Sequence, residues 1–158
     1  MNQEAVAKYT YSELGEMDRL DADALRSLFT IELGGEGFYL ALADRVDNEE
    51  AATLLRRNGR DEAAHARRAL KALGIKLGRD VEPTPEMLVT GEVRLPRSLD
   101  KLWPALVQGE IEGDALYQRW ADNETDPDVQ RLLRLSGREE TLHAGRVEQA
   151  LSLLEVTV

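Results

Sequence analysis

Two stretches of the chain decide its fold: "LLRRNGRDEAAHARRALKAL" at residues 54–73 and "LLRLSGREETLHAGRVEQAL" at residues 132–151. They align without a gap at an offset of 78 positions. The chain has only two histidines, and each lies three residues after a glutamate at equivalent positions of the two stretches. Residues three apart share a face of a helix. The pattern therefore predicts two related helices, one presenting Glu62 with His65 and the other Glu140 with His143.

The same offset continues upstream of both stretches. It pairs identical residues that lie earlier in the chain, namely Glu32 with Glu110, Gly35 with Gly113, and Tyr39 with Tyr117. Repetition at a fixed offset is typical of a duplicated structural unit. The sequence therefore predicts two copies of one helical hairpin.

Capping residues and helix breakers bound four predicted helices. We expect these at about residues 21–46, at 48–74, at about 99–123 and at about 126–154. Asn48 and Asp126 are good N-cap residues, and Gly74 is a good C-terminal cap for the second helix. Pro104 is expected to mark the start of the third helix or to bend its first turn.

The segment between the hairpins, residues 75–98, lacks a helical period and contains three prolines, Pro83, Pro85 and Pro96. It is too long for a tight turn. We therefore predict an all-α fold over residues 21–158, an antiparallel four-helix bundle in which hairpins 21–74 and 99–155 are joined by a long crossover. Residues 1–20 are expected to form an N-terminal arm or short helix.

The composition narrows the classes of function. The 158-residue chain has a formal net charge of −10, which disfavours nucleic acid and membrane surfaces as partners and suits metal cations. It has no cysteine, which excludes thiolate ligands and disulfides. The N-terminus lacks the apolar core of a signal peptide, and no apolar run approaches the ~18–20 residues of a membrane span. We expect a cytoplasmic protein.

The predicted inward face of each helix is apolar at its ends and polar in its middle. The polar positions are Glu32, Glu62 with His65, Glu110, and Glu140 with His143. Unpaired buried charges cost several kcal/mol each, and two divalent cations would balance four carboxylates. Imidazole nitrogen with carboxylate oxygen and no sulfur favours iron or manganese. The alternative is that each Glu-x-x-His is a solvated pair and the chain an inert helical scaffold.

With these residues the chain resembles the ferritin-like di-iron carboxylate family, in particular rubrerythrin-type and bacterioferritin-type bundles, over residues 21–155. The family pattern is one glutamate from each of two helices and Glu-x-x-His from each of the other two. The resemblance implies two iron ions, with manganese as the alternative. It implies that Glu62 and Glu140 bridge the ions, with Glu32 and Glu110 as terminal ligands beside the histidines.

The resemblance also implies which residues surround the ligands. Tyr39 and Tyr117 would lie near the carboxylates, Asp61 would hydrogen-bond His143, and Glu139 would hydrogen-bond His65. The alternative is that both acids are surface charges paired with neighbouring arginines. Two glycine pairs, Gly35 with Gly113 and Gly59 with Gly137, provide either close helix approach or room beside the metal ions.

The chain departs from the family in three respects. Gly113 stands where rubrerythrin-type sites commonly carry an additional glutamate. No cysteine is present for a rubredoxin module, so an external electron donor would be needed. Ala63 and Thr141 follow the motif glutamates, where bacterioferritin has its haem-binding methionine, so haem is not expected.

The resemblance implies an oxidoreductase that couples Fe(II) oxidation to the reduction of O2 or H2O2, either a ferroxidase or a peroxide reductase. Iron storage in a larger assembly and a di-metal oxygenase are the alternatives. Beyond its inward face, the first helix carries further apolar residues, Phe29, Ile31, Leu33, Phe38 and Leu40. They cannot all face one interior, so we expect a homodimer or a larger homo-oligomer.

Overall fold

The structure is a computed structural model that describes residues 7–155. Within this range it contains helices and no β-strand: α1 (Tyr11–Gly15), α2 (Ala22–Arg45), α3 (Glu49–Leu77), a 3-10 turn (Glu86–Leu88), α4 (Leu102–Asp122) and α5 (Pro127–Glu155). Hairpins α2–α3 and α4–α5 pack together mainly through α3 and α5. The predicted all-α, ferritin-like bundle is confirmed. Residues 1–6 of the predicted arm lie outside the described residues.

Side chains cap the N-terminal ends of α2, α3 and α5, and the caps of α3 and α5 are the predicted ones. The Asp21 side chain accepts a hydrogen bond from the backbone N–H of Ala24 at 2.8 Å, and Asn48 accepts one from Ala51 at 2.9 Å. Asp126 accepts from the backbone N–H groups at the start of α5. Such side chains satisfy amide groups that have no partner inside the helix.

The C-terminal end of α3 differs from the prediction. The helix passes through Gly74 and ends at Leu77, where Gly78 takes a left-handed conformation with φ of 67°. A glycine inside a helix costs only about 1 kcal/mol relative to alanine. The longer helix packs Ile75 against the core, and the left-handed glycine still closes the helix end.

The start of α4 also differs slightly. The helix begins at Leu102 rather than at residue 99, so Pro104 lies in its first turn. The amide groups of a first turn have no carbonyl partner within the helix, and a proline there removes no hydrogen bond. Pro104 therefore marks the beginning of the helix.

Two apolar clusters lie along the bundle on either side of a polar layer. One contains Leu28, Leu73 and Trp120, and the other contains Leu42 and Trp103. Along α2 the buried residues run from Leu28 through Glu32 to Leu42, so the carboxylate lies between the two clusters. The polar layer is thus held at mid-height by close-packed apolar groups at both ends.

The arm before α2 folds onto the bundle. Leu14 of α1 is fully buried in the first apolar cluster. The backbone N–H of Tyr9 donates to Ser27 Oγ at 3.0 Å, and the Trp120 indole N–H donates to the carbonyl of Met17 at 2.9 Å. These bonds fasten the short helix to both α2 and α4.

The crossover runs along the outside of α2. Thr30 donates to the carbonyl of Met87 at 2.7 Å, and Arg45 donates to the carbonyl of Pro96 at 3.2 Å. Phe29 and Met87 are buried in the same cluster. Phe29 therefore packs inside its own chain, which corrects the expectation that it lies on an uncovered face.

Over residues 7–155, no helix combines the length and the apolar character that crossing a membrane requires.

Candidate metal centre

The middle of the bundle brings together all six side chains that the sequence singles out as ligands. They come from four helices, and none is more than 7% exposed: Glu32 from α2, Glu62 and His65 from α3, Glu110 from α4, and Glu140 and His143 from α5. The 78-residue repeat thus becomes an approximate twofold arrangement of side chains.

The six residues form two overlapping sets. The first set is Glu32, Glu62, His65 and Glu140, and the second is Glu62, Glu110, Glu140 and His143. In each set, one oxygen or nitrogen atom from every residue lies within 4.8 Å of the others. Glu62 and Glu140 belong to both sets, which is the arrangement that two bridging carboxylates require.

The imidazole nitrogens fit a cation. His65 Nδ1 lies 3.0 Å from Glu140 Oε1 and 3.4 Å from Glu62 Oε2, yet it makes no hydrogen bond to either. His143 Nδ1 lies 3.5 Å from Glu110 Oε2 and is likewise without a hydrogen bond. Buried polar atoms without partners are costly. Ligands at about 2.1 Å from a first-row ion lie at most ~4.2 Å apart, so a small contraction of each set would accommodate one.

The carboxylates divide into two pairs, and in each pair one pKa is raised and the other is lowered. Burial and the neighbouring Glu62 raise the pKa of Glu32 to about 7. Burial alone would also raise the pKa of Glu62, but contacts with both histidines and Glu32 outweigh it and lower the pKa to about 2. In the second pair, burial and Glu110 raise the pKa of Glu140. The pKa of Glu110 is lowered, because contacts with Glu140 and His143 outweigh its burial.

Both histidines bind protons more strongly than free imidazole. Burial disfavours the charged ring of His65, but contacts with Glu140, Glu32 and Glu62 outweigh it and raise the pKa to about 12. For His143, contacts with Glu110 and Glu62 likewise overcome burial and raise the pKa to about 9. The imidazolium charges therefore compensate for part of the carboxylate charge.

The two tyrosines connect the hairpins. The Tyr39 hydroxyl of α2 donates to Glu110 Oε1 of α4, and the Tyr117 hydroxyl of α4 donates to Glu32 Oε1 of α2. Each ring also packs edge-on against a histidine, with centroids 6.0 Å apart. Burial and the adjoining carboxylates raise the pKa of both phenols, so each remains a proton donor that orients its glutamate.

The two acidic residues before the motif glutamates touch the histidines and arginines at once. Asp61 Oδ2 lies 3.3 Å from His143 Nε2 and 2.7 Å from Arg146. Glu139 lies 3.9 Å from His65 Nε2, beyond hydrogen-bond range, and 2.7 Å from Arg68. Asp61 therefore contacts both a histidine and an arginine, whereas Glu139 pairs with its arginine and only approaches its histidine.

The arginines that contact these acids are Arg68 and Arg146, which the sequence prediction left unspecified. Arg146 donates to the Asn58 side chain at 3.0 Å, and Arg68 donates to Ser136 Oγ at 3.3 Å. The Asn58 amide donates in turn to the backbone carbonyl of His143 at 3.2 Å. Arg68 and Arg146 are related by the same offset of 78, so extending the repeat comparison could have identified them.

The glycine pairs play two different roles. A Cβ at Gly35 would lie 3.2 Å from the Glu62 carboxyl carbon, and one at Gly113 would lie 3.0 Å from Glu140 Oε2. These glycines leave room for the shared carboxylates. A Cβ at Gly59 would lie 3.4 Å from Tyr39 Cβ, and one at Gly137 only 2.8 Å from Tyr117 Cβ. The second pair permits close approach of the helices.

One opening connects the carboxylates to the surface. A cleft of about 230 Å³ is lined by all four glutamates together with Tyr11, Ala105, Leu106 and Gly109. Tyr11 belongs to α1, and the sequence prediction did not place it. Residues 1–20 lack a second copy in the chain, so the repeat gave no signal for this residue.

Comparison with known proteins covers the first hairpin, which carries three of the six clustered side chains. Residues 23–97 match a family model described as Rubrerythrin. The match covers α2, α3 and the crossover, with Glu32, Glu62 and His65 inside it, and it confirms the resemblance to ferritin-like di-iron carboxylate proteins. No match was found among curated proteins or among solved structures. The candidate ligands of the second hairpin, Glu110, Glu140 and His143, rest on the repeat and on the geometry.

Proposed function

We propose that this protein is a non-haem di-iron protein that couples the oxidation of Fe(II) to the reduction of O2 or H2O2. Manganese is the alternative metal. The observation that carries the proposal is the pair of four-residue sets that share Glu62 and Glu140 in a buried layer. When bound, two ferrous ions supply two electrons, which with two protons reduce H2O2 to two molecules of water. This is the chemistry of a ferroxidase or a peroxide reductase.

The protein's own residues would contribute charge, orientation and protons. Glu62 and Glu140 would hold both ions, while His65 and His143 would each bind through Nδ1, which faces the carboxylates. Asp61 would fix the orientation of His143 through Nε2. Such partners of metal-bound histidines commonly change metal affinity by about 10–100-fold.

The size of the opening favours a small oxidant over an organic substrate. Pockets that bind drug-sized molecules usually measure about 300–1,000 Å³, and the cleft beside the glutamates measures about 230 Å³. Its lining combines the four buried glutamates with Tyr11, Ala105 and Leu106. Electrons for repeated turnover would come from an external donor, since the chain contains no cysteine for an iron–sulfur or rubredoxin centre.

Metal analysis combined with an oxidation assay tests the proposal. Protein purified from cells should contain two iron or manganese ions per chain, and anomalous scattering should place both among the six side chains. Fe(II)-loaded protein given H2O2 should gain the near-ultraviolet absorbance of carboxylate-bound ferric iron. Glu62→Ala should lose at least one ion, because Glu62 belongs to both sets.

The matched control is Glu148→Ala, since Glu148 is exposed on α5. This variant should bind metal and oxidise iron as the wild type does. Equal oxidation by Glu62→Ala and the wild type, or purified protein without iron or manganese, would contradict the proposal. A closed assembly of many chains filled with iron would favour the storage alternative.

A further inference from the structure

Tyr11 lies at the mouth of the acidic cleft. It lines the same opening as Glu32, Glu62, Glu110 and Glu140, and its side chain is 44% exposed. One side of the ring therefore meets solvent while the other faces the carboxylates. The hydroxyl oxygen lies 3.4 Å from the point where a Cβ at Gly113 would stand, so α1 supplies a polar group to a position where α4 has no side chain.

The Tyr11 hydroxyl differs from the two buried tyrosines in its bonding. Tyr39 and Tyr117 each donate to a glutamate. Across residues 7–155, no hydrogen bond joins the Tyr11 hydroxyl to another group of the protein. A phenol that faces four carboxylates yet donates to none of them is free to donate to a molecule that enters the cleft.

The helix that carries Tyr11 is firmly attached. Thr10 caps α1 by accepting from the backbone N–H of Glu13 at 3.1 Å, and Leu14 is fully buried. Beyond the helix, Arg119 donates to the carbonyl of Met17 at 3.0 Å. Because both flanks are held, Tyr11 has a defined position over the opening.

We propose that Tyr11 is the positioning residue for the small molecule that enters this cleft. Its hydroxyl donates a hydrogen bond to a small anionic or oxygen-containing ligand bound beside the metal ions, and its ring narrows the opening against larger ligands. The inference rests on the proposed function, because the ligand would be held by the bound metal pair. It assigns to α1 a role in ligand selection that the four long helices do not supply.

Azide binding tests the hydrogen bond, because azide is a small anion that accepts hydrogen bonds and gives a charge-transfer absorption on ferric iron. Iron-loaded, oxidised protein would be titrated with azide as wild type, Tyr11→Phe and Tyr9→Phe. We expect Tyr11→Phe to raise the azide Kd about tenfold, the usual effect of losing a hydrogen bond to a charged group. Its iron content should remain that of the wild type.

Tyr9→Phe is the matched control, since Tyr9 lies two residues away and does not line the cleft. Its azide Kd should be unchanged. A second variant, Tyr11→Ala, tests the steric part of the inference, and it should bind benzoate several-fold more tightly than the wild type. Thermal unfolding followed by circular dichroism would verify that all three variants are folded.

Iron loading and the azide Kd together distinguish a failure of the positioning role from a failure of the proposed function. If the wild type loads and oxidises iron but Tyr11→Phe has an unchanged azide Kd, the positioning role is wrong and the proposed function stands. If the wild type binds no metal pair, the proposed function fails and the positioning role with it. An equal benzoate affinity in the wild type and Tyr11→Ala would overturn the steric part alone.

Discussion

At the scale of single residues, the six clustered side chains are electrically balanced. The pKa values indicate ionised Glu62 and Glu110, protonated imidazoles at both histidines and a protonated Glu140, with Glu32 half protonated at pH 7. The two positive charges then nearly cancel the negative charges within the buried layer. Two divalent cations would replace this balance only if the protons leave, because metal ligands must be deprotonated.

We therefore predict that metal binding at neutral pH releases about three to four protons per pair of divalent ions. The raised pKa values of Glu140, His65 and His143 keep these groups protonated at pH 7, and Glu32, with a pKa of about 7, is half protonated. Because protons compete with the metal ions for these groups, the metal affinity should fall as the pH decreases. Titration calorimetry in buffers with different ionisation enthalpies measures the number of protons.

Glu148→Gln, on the exposed face of α5, should release the same number of protons as the wild type. Proton release near zero, or an affinity that does not change between about pH 6 and 8, would contradict the prediction. In that case the cluster would already be deprotonated before metal binds.

The sequence predicted individual site residues best in the parts of the chain that the repeat covers. The offset of 78 identified all six clustered side chains, because two copies of one motif constrain each other. Tyr11 has no second copy and could not be found this way. The division of protons within each carboxylate pair depends on distances of a few ångströms between helices, and no spacing along the chain encodes it.

At the scale of elements, the two hairpins are similar but not equally tight. The approach of α4 to α5 at Gly137 is closer than that of α2 to α3 at Gly59. Behind Gly137, the nearest atoms include Gln118 Nε2 at 2.7 Å and Asp114 Oδ1 at 2.9 Å. The corresponding contacts of Gly59 are ordinary van der Waals distances.

We predict that Gly137→Ala destabilises the protein by about 1–3 kcal/mol, the usual cost of overpacking. Gly59→Ala should be close to neutral or stabilising by up to about 1 kcal/mol, because alanine favours the helix. Chemical denaturation of both variants and the wild type, all without added metal, measures the difference. Equal stabilities of the two variants would show that α4 and α5 adjust to the added methyl group.

The capped starts of α3 and α5 were predictable and the end of α3 was not, for a physical reason. An N-cap side chain such as Asn48 or Asp126 acts locally, so its effect can be recognised from a few residues. At the end of α3, Gly74 and Gly78 are both suitable terminators. Burial of Ile75 in the tertiary structure decides between them, and that information is absent from the local sequence.

At the scale of the whole molecule, the arm and the crossover cover much of α2. Phe29 is buried, and Ile31, Leu33 and Phe38 are half-buried against the clusters of their own chain. Leu40 remains 41% exposed on the same helix. The apolar surface that the sequence predicted for association is therefore smaller than expected and centred nearer the C-terminal half of α2.

We propose that the protein nevertheless forms a homo-oligomer through this part of α2. Leu40→Glu should then shift the sedimentation coefficient toward that of a monomer, because a buried charge without a partner disfavours the interface. Leu142→Glu on α5 is the matched control, since Leu142 is 55% exposed. An unchanged mass of Leu40→Glu, with an oligomeric wild type, would place the interface elsewhere; a monomeric wild type would refute the oligomer.

The crossover also sets the effective concentration of one hairpin relative to the other. Each four-residue set takes three residues from one hairpin and one from the other. Two separate hairpins would complete a set only by meeting, so their metal affinity would depend on how much protein is present. A tether makes this meeting intramolecular, with an effective concentration on the order of millimolar. Under the proposed function, the segment between α3 and α4 lets a single newly made chain load its metal ions without waiting for a second.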